Sequence, residues 1–144
     1  MKKQIAVGVA LLVAAIAAGP SHAQQIVAKA NIPFEFQMGN KTMPAGEYLI
    51  QRVSDTNEVA LMIRRTDASA ATAITTFAVD AKNGDSEPEL VFHKYGNSYF
   101  LSEIWTGQGQ GRHLPASKRE KEWARETKGS EVAVSLQSVS DRGL

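Results

Sequence analysis

Two β-rich runs on either side of a Gly-Asn dipeptide constrain the fold of this chain more than any other feature. The runs cover residues 90–95 and 98–105, and Gly96-Asn97 lies between them. A two-residue loop that begins with glycine is typical of a tight β-hairpin, because glycine readily adopts the positive φ that such a turn needs. The sequence therefore predicts an antiparallel hairpin in which Tyr95 pairs with Ser98.

The predicted turn also fixes which residues of the hairpin share a face, since successive side chains of a strand alternate between two faces. Counting back from the turn gives these pairs: Lys94 with Tyr99, His93 with Phe100, Phe92 with Leu101, and Leu90 with Glu103. The residues expected on the core face are Leu90, Phe92, Tyr99 and Leu101. In this register His93 and Glu103 fall on opposite faces.

Alternation of apolar and polar residues predicts further short strands along the chain. They cover residues 26–36, 48–53, 58–65, 72–81 and 131–139, with helix as the competing interpretation for the alanine-rich stretch 72–81. Residues 106–112 are expected to form a flexible glycine-rich loop. Ser117 and Glu120 form a capping box that predicts one helix from Lys118 to about Thr127. The predicted fold is all-β, an antiparallel β-sandwich or small barrel of about seven strands with one short helix.

The first 23 residues have the three-part pattern of a secretory signal peptide. Lys2 and Lys3 precede an uncharged run over residues 5–18, and Ser21-His22-Ala23 supplies small residues at the −3 and −1 positions of a cleavage site. A membrane-spanning helix needs about 20 apolar residues, so this run is too short to serve as one. The sequence predicts cleavage after Ala23, a periplasmic or extracellular location, and no transmembrane helix in the mature protein. The alternative is a retained N-terminal anchor.

The remaining residues, 24–144, have the length of a single domain with its own core. The whole chain has 16 basic and 15 acidic residues, and without Lys2 and Lys3 the charge is close to neutral. Such a balance gives no electrostatic reason to expect nucleic acid as a partner. The chain contains no cysteine, which excludes thiol catalysis, thiolate-bound zinc and iron–sulfur clusters.

Four blocks resemble a family of small exported proteins of unknown function that is abundant in acidobacteria and related soil bacteria. The blocks are IPFEF at 32–36, MPAGEY at 43–48, LVFHKYGNSYFLSEIW at 90–105 and GRHLPASKREKEWAR at 111–125. Together they span most of residues 24–144. The resemblance implies an exported, β-rich single domain, and it supplies neither an activity nor catalytic residues.

Three residues are candidates for metal binding or acid–base chemistry: His93, Glu103 and His113. Imidazole serves both as a metal ligand and as a general base, and a carboxylate completes such sites. The alternative is that His93 is a strand histidine hydrogen-bonded beside Phe100 and that His113 is a loop histidine in solvent. We prefer this alternative and therefore expect neither a metal nor a cofactor. No serine lies in a G-x-S-x-G motif, so the sequence gives no sign of a serine hydrolase.

Aromatic and basic residues around the hairpin are the candidates for contact with a ligand or partner. Aromatic side chains on an exposed sheet face form stacking platforms, whereas on an inner face they belong to the core. Trp105 ends the second run and precedes the glycine-rich loop that contains Arg112. The candidate contact residues are Trp105, Arg112, His113, Tyr99 and His93.

Three functional hypotheses follow from the sequence. The preferred one is a non-enzymatic exported β-domain that binds an unidentified ligand or envelope partner. The second is a small periplasmic hydrolase or metal-dependent enzyme that uses His93, Glu103 and His113. The third is a structural envelope component that oligomerises through exposed strand edges. The identity of the ligand and the oligomeric state stay open.

Overall fold

Eleven strands and one helix make up the part of the chain that the computed structural model describes, residues 26–54, 57–80, 87–107 and 109–138. The predicted signal peptide lies outside the described residues. Within those residues, no helix is long and apolar enough to cross a lipid bilayer. The elements are β1 (Ile26–Ile32), β2 (Phe36–Met38), β3 (Lys41–Met43), β4 (Gly46–Ser54), β5 (Asn57–Arg65), β6 (Ala71–Thr75), β7 (Phe77–Asp80), β8 (Glu89–Tyr95), β9 (Ser98–Gly107), β10 (Gln110–His113), α1 (Lys118–Glu126) and β11 (Gly129–Ser138).

All the strands belong to one sheet that curves into a nearly closed barrel. Their order is β3-β2-β9-β8-β11-β1-β4-β5-β6, and β10 pairs with both β9 and β7. β6 pairs with β5, and β7 pairs with β10. Only Thr76 lies between β6 and β7 in the chain. This passage from β6 to β7 links the two ends of the sheet and nearly completes the ring.

Thr76 is the corner at which the chain changes partner strands. It is fully buried, and both its backbone N–H and its hydroxyl donate to the carbonyl of Val59, at 2.7 and 2.8 Å. A buried backbone group without a partner destabilises a fold, and a change of partner strands creates that risk. The threonine hydroxyl adds a second hydrogen bond at this corner.

Apolar side chains that point into the barrel form one continuous core. β1, β4 and β5 contribute Ala28, Ala30, Ile32, Tyr48, Ile50, Leu61 and Ile63, and β8 and β9 contribute Leu90, Phe92, Leu101 and Ile104. Strand alternation places these residues on one face, as period-two hydrophobicity predicts. The all-β prediction is therefore confirmed.

The β2–β3 hairpin fills one end of the barrel. Phe36, Met38 and Met43 are buried, and the ring of Phe36 meets the rings of Tyr48 and Phe92 edge-on at 5.3 and 5.4 Å between centroids. The opposite end, where β1 begins and β4 and β9 end, has no such hairpin among the described residues. That end contains the candidate site.

The predicted count of about seven strands was wrong. The four additional strands are β2, β3, β7 and β10, each of only three or four residues. Strands this short show little alternation, and the glycines around β10 indicated a loop over 106–112. β2 also pairs parallel with β9 at Gln37 and Phe100, so the sheet is not purely antiparallel.

The predicted hairpin is present, with one change of register. Tyr95 pairs with Ser98, and the predicted pairs continue to Phe92 with Leu101. A β-bulge then inserts Ser102, so Glu103 pairs with Val91 and not with Leu90. Because Val91 and His93 share a face, the expectation that His93 and Glu103 lie on opposite faces was wrong. A bulge adds one residue to one strand and moves every later residue to the other face.

Candidate functional site

A cavity of about 240 Å³ opens at the end of the barrel that the β2–β3 hairpin leaves free. Six strands contribute residues to its wall. The lining residues are Val27, Ile50, Arg52, Leu61, Ala78, Val79, Asp80, Thr106, Gln110, Gly111 and Arg112. The mouth of a β-barrel is a common place for a small-molecule site, because concavity and rigid walls coincide there.

Arg112 lines this cavity and is held in place by Thr76. Its Nε donates to the Thr76 hydroxyl at 2.8 Å, and its Nη2 donates to the Thr76 carbonyl at 3.2 Å. Arg112 lies on β10 directly opposite Ala78 on β7. The guanidinium thus joins the barrel corner to the cavity wall, and its orientation is fixed before any ligand arrives.

Arg52 supplies the second positive charge. It follows Tyr48 and Ile50 at a spacing of two residues on β4, and it pairs across the sheet with Leu61 on β5. Within the described part of the chain, the side chain of Arg52 forms neither a hydrogen bond nor an ion pair. Its guanidinium is therefore available to an incoming group.

Part of the wall of the cavity is apolar. Ile50 is fully buried and Leu61 is nearly so, while Val27 on β1 and Ala78 on β7 add to the apolar surface. Asp80, Thr106 and Gln110 add polar groups near the ends of their strands. An apolar wall with a few fixed polar groups is the usual make-up of a small-ligand site.

Trp105 lies on the outer face of the barrel and not in the cavity. Its indole Nε1 donates to Glu103 Oε2 at 2.7 Å, and its ring covers Gly111 on the neighbouring strand. A Cβ at Gly111 would lie 2.5 Å from two ring carbons of Trp105. The glycine therefore leaves space for the indole to lie flat on the sheet.

His93 attaches helix α1 to the outer face of the barrel. Its Nδ1 lies 2.8 Å from Glu120 Oε1, and the hydroxyl of Tyr95 donates to the same oxygen at 3.4 Å. Glu120 is the buried residue of α1, with an exposed fraction of 5%. Ser117 caps the helix by accepting from the Glu120 N–H at 3.1 Å, so the predicted capping box is confirmed at its serine.

His113 and Glu103 are direct cross-strand neighbours, but the three candidates for metal binding do not come together. His113 is exposed on β10, opposite both Glu103 on β9 and Phe77 on β7. The carboxylate of Glu103 accepts from Trp105, while His93 is engaged with Glu120. Among the described residues, no group of three or more His, Asp or Glu side chains is arranged to hold a metal ion.

Tyr99 packs at the filled end of the barrel. Its ring stacks on Phe34 with centroids 3.8 Å apart, and the Lys94 ammonium lies 5.3 Å from the ring centroid of Tyr99. Tyr99 is thus part of the packing around the core. Of the five predicted contact residues, Arg112 is the one that lines the cavity.

Sequence reasoning missed Arg52 and the apolar wall. One signal for Arg52 was present, because a charged residue in phase with Tyr48 and Ile50 must point into the barrel or into its mouth. The apolar wall had no such signal, since its residues come from four different strands, β1, β4, β5 and β7.

Comparison of the chain with protein-family models found no match, and neither did comparison with curated proteins or with solved structures.

Proposed function

We propose that this protein is an exported, non-enzymatic binding protein that holds a small ligand in the mouth of its barrel. The observation that carries the proposal is the cavity of about 240 Å³ between Arg52 and Arg112. An engineered apolar cavity of about 150 Å³ already holds benzene, so this volume suits a small organic molecule.

The construction of the wall supports a binding role. The lining side chains sit on strands of one continuous sheet, and the guanidinium of Arg112 is fixed by two hydrogen bonds to Thr76. Groups that are held in place before binding lose little freedom when a ligand arrives. The barrel therefore offers a preformed site.

Export is the part of the proposal that rests on the sequence. Lys2 and Lys3, the uncharged run at 5–18 and the small residues at 21 and 23 form the pattern of a cleaved signal peptide. A ligand-binding role in the periplasm or outside the cell agrees with that pattern. Detection of the protein in periplasmic or culture fractions, with an N-terminus at Gln24, would test it.

Filling the cavity tests the binding role. Ala78→Phe and Val27→Phe each place a large ring in the cavity, from two different strands of its wall. Ala133→Phe is the matched control, because Ala133 is an exposed strand residue on β11 that does not line the cavity. Thermal unfolding of each variant first establishes that the barrel is folded.

Ligand-detected NMR with toluene, p-cresol, indole and octanoate provides the readout. We expect at least one probe to bind at one site per chain, with binding lost in both filled variants and kept in Ala133→Phe. Binding of none of the probes, or binding that persists in the filled variants, would contradict the proposal.

A further inference from the structure

We propose that the ligand of the barrel mouth is a small amphiphilic anion, a carboxylate that carries a short hydrocarbon chain. This inference rests on the proposed function, since it names the chemical class of the molecule that occupies the same cavity. Three features of the cavity support it: its charge, the geometry of its arginines and the size of its apolar part.

The cavity has an excess of positive charge. Two guanidinium groups, from Arg52 and Arg112, line it together with a single carboxylate, that of Asp80. Arginine stays protonated in proteins. Within the described residues, neither arginine forms an ion pair with a carboxylate. The wall of the cavity is therefore electrostatically complementary to an anion.

The two arginines differ in the hydrogen-bond donors that they can offer to a ligand. Thr76 uses Nε and Nη2 of Arg112, so the Nη1 group of that guanidinium is the one without a partner among the described residues. Arg52 has all of its side-chain donors available in the same part of the chain. A guanidinium recognises a carboxylate through two parallel N–H···O bonds, which favours a planar anionic head. Arg52 is the residue best placed to make that contact.

The apolar wall sets the size of the tail. Val27, Ile50, Leu61 and Ala78 supply apolar side chains to the wall of the cavity. If benzene fills about 150 Å³, then about 240 Å³ corresponds to roughly ten non-hydrogen atoms. A carboxylate head with a chain of roughly six to eight carbons has this size.

The test compares three molecules that share a chain and differ in the head group: octanoate, octanol and octylammonium. Acetate is the fourth probe, because it has the head without the chain. Isothermal titration on the whole protein gives each dissociation constant. We expect octanoate to bind at least about tenfold more tightly than octanol or octylammonium. Octanol cannot accept the charge-assisted hydrogen bonds that a carboxylate accepts, and octylammonium has the same sign of charge as the two arginines. Acetate should bind more weakly than octanoate.

Arg52→Gln removes the charge and leaves a shorter, neutral side chain that still donates hydrogen bonds. We expect this variant to raise the dissociation constant of octanoate about tenfold and to change that of octanol less than about twofold. The reason is that the lost contact is to the carboxylate head alone. Arg125→Gln is the matched control, since Arg125 is exposed on helix α1 and carries the same charge. That variant should bind octanoate like the wild-type protein.

The outcomes separate this inference from the proposed function. Equal affinity for octanoate and octanol, or tightest binding of octylammonium, would overturn the anionic ligand while leaving a cavity that binds small molecules. Loss of octanoate binding in Arg125→Gln as well as in Arg52→Gln would also overturn it, because the effect would then be one of the protein's net charge. Binding of no probe would overturn both proposals.

Discussion

Arg112 donates to both the hydroxyl and the carbonyl oxygen of Thr76, and so connects the wall of the cavity to the corner of the barrel. At Thr76 the chain changes from β6, which pairs with β5, to β7, which pairs with β10. The same contact therefore serves the closure of the fold and the orientation of a group in the candidate site.

Loss of this contact should destabilise the barrel. We expect Arg112→Leu to lower the free energy of unfolding by about 2–3 kcal/mol, because hydrogen bonds from a charged donor to buried oxygens are lost. Urea denaturation measures the change. In a double-mutant cycle with Thr76→Val, the coupling energy should be about 1 kcal/mol or more, as for residues in direct contact.

Arg119→Leu is the control for that cycle, since Arg119 is exposed on helix α1 and its replacement should change stability by less than about 0.5 kcal/mol. Strictly additive effects of Arg112→Leu and Thr76→Val would show that the two side chains stabilise the barrel independently.

Gly111 should tolerate no side chain while Trp105 lies over it. We expect Gly111→Ala to destabilise the protein by about 1–3 kcal/mol, because the new methyl group would overlap the indole ring and force it to move. Tryptophan fluorescence should report the displaced ring. The second substitution Trp105→Leu should reduce the cost of Gly111→Ala, and an unchanged cost in that background would rule out the steric explanation.

Helix α1 should depend on one carboxylate for its attachment. We expect Glu120→Ala to lower the local stability of the helix by about 1–2 kcal/mol, since His93 and Tyr95 lose their shared partner. Hydrogen exchange of residues 118–126 should then be faster, while exchange in β8 and β9 changes little. Glu122→Ala, at an exposed position of the same helix, is the control, and equal effects of the two substitutions would contradict this role of Glu120.

Stability at alkaline pH should depend on Tyr48. Burial raises the pKa of Tyr48, and the nearby Arg65 opposes this effect only in part. A raised pKa in the folded state means that the folded protein holds this proton more tightly than the unfolded chain does. The stabilisation is therefore complete below about pH 10, the ordinary tyrosine pKa, and is lost as the pH rises above it.

Tyr48→Phe tests this dependence. At pH 8 the variant should be less stable by about 1 kcal/mol, because the hydroxyl no longer donates to the carbonyl of Pro44. The difference between wild type and variant should shrink between pH 10 and pH 11, as measured by urea denaturation. A difference that stays constant from pH 8 to pH 11 would contradict the raised pKa.

Local sequence chemistry predicted the hairpin and the helix cap well, because both depend on residues close together in the chain. The Gly96-Asn97 turn sets the pairs from Tyr95 to Phe92, and Ser117 caps α1 as expected. The bulge at Ser102 was not predictable in the same way. It reflects the fit of β9 to two different neighbours, β2 near Phe100 and β10 from Glu103 onward.

Sequence reasoning identified the candidate site only at Arg112. That residue was chosen from its place in the predicted glycine-rich loop, whereas Trp105 and His113 lie near the same loop but point to the outer face. The cavity forms because the chain changes partner strands at Thr76, between β6 and β7. That change depends on contacts between residues that are distant in sequence. The sequence shows that Arg52 is in phase with apolar residues of β4. It does not show which residues of other strands, such as Arg112, line the same cavity.

Amide chemical-shift mapping with octanoate tests whether the barrel mouth binds a small ligand. In a ¹⁵N-labelled sample of the whole protein, we expect saturable shifts concentrated at the cavity residues Val27, Arg52, Ala78, Thr106 and Arg112. Shifts confined to the outer face around Glu103, Trp105 and His113, with the cavity residues unchanged, would contradict binding in the barrel mouth.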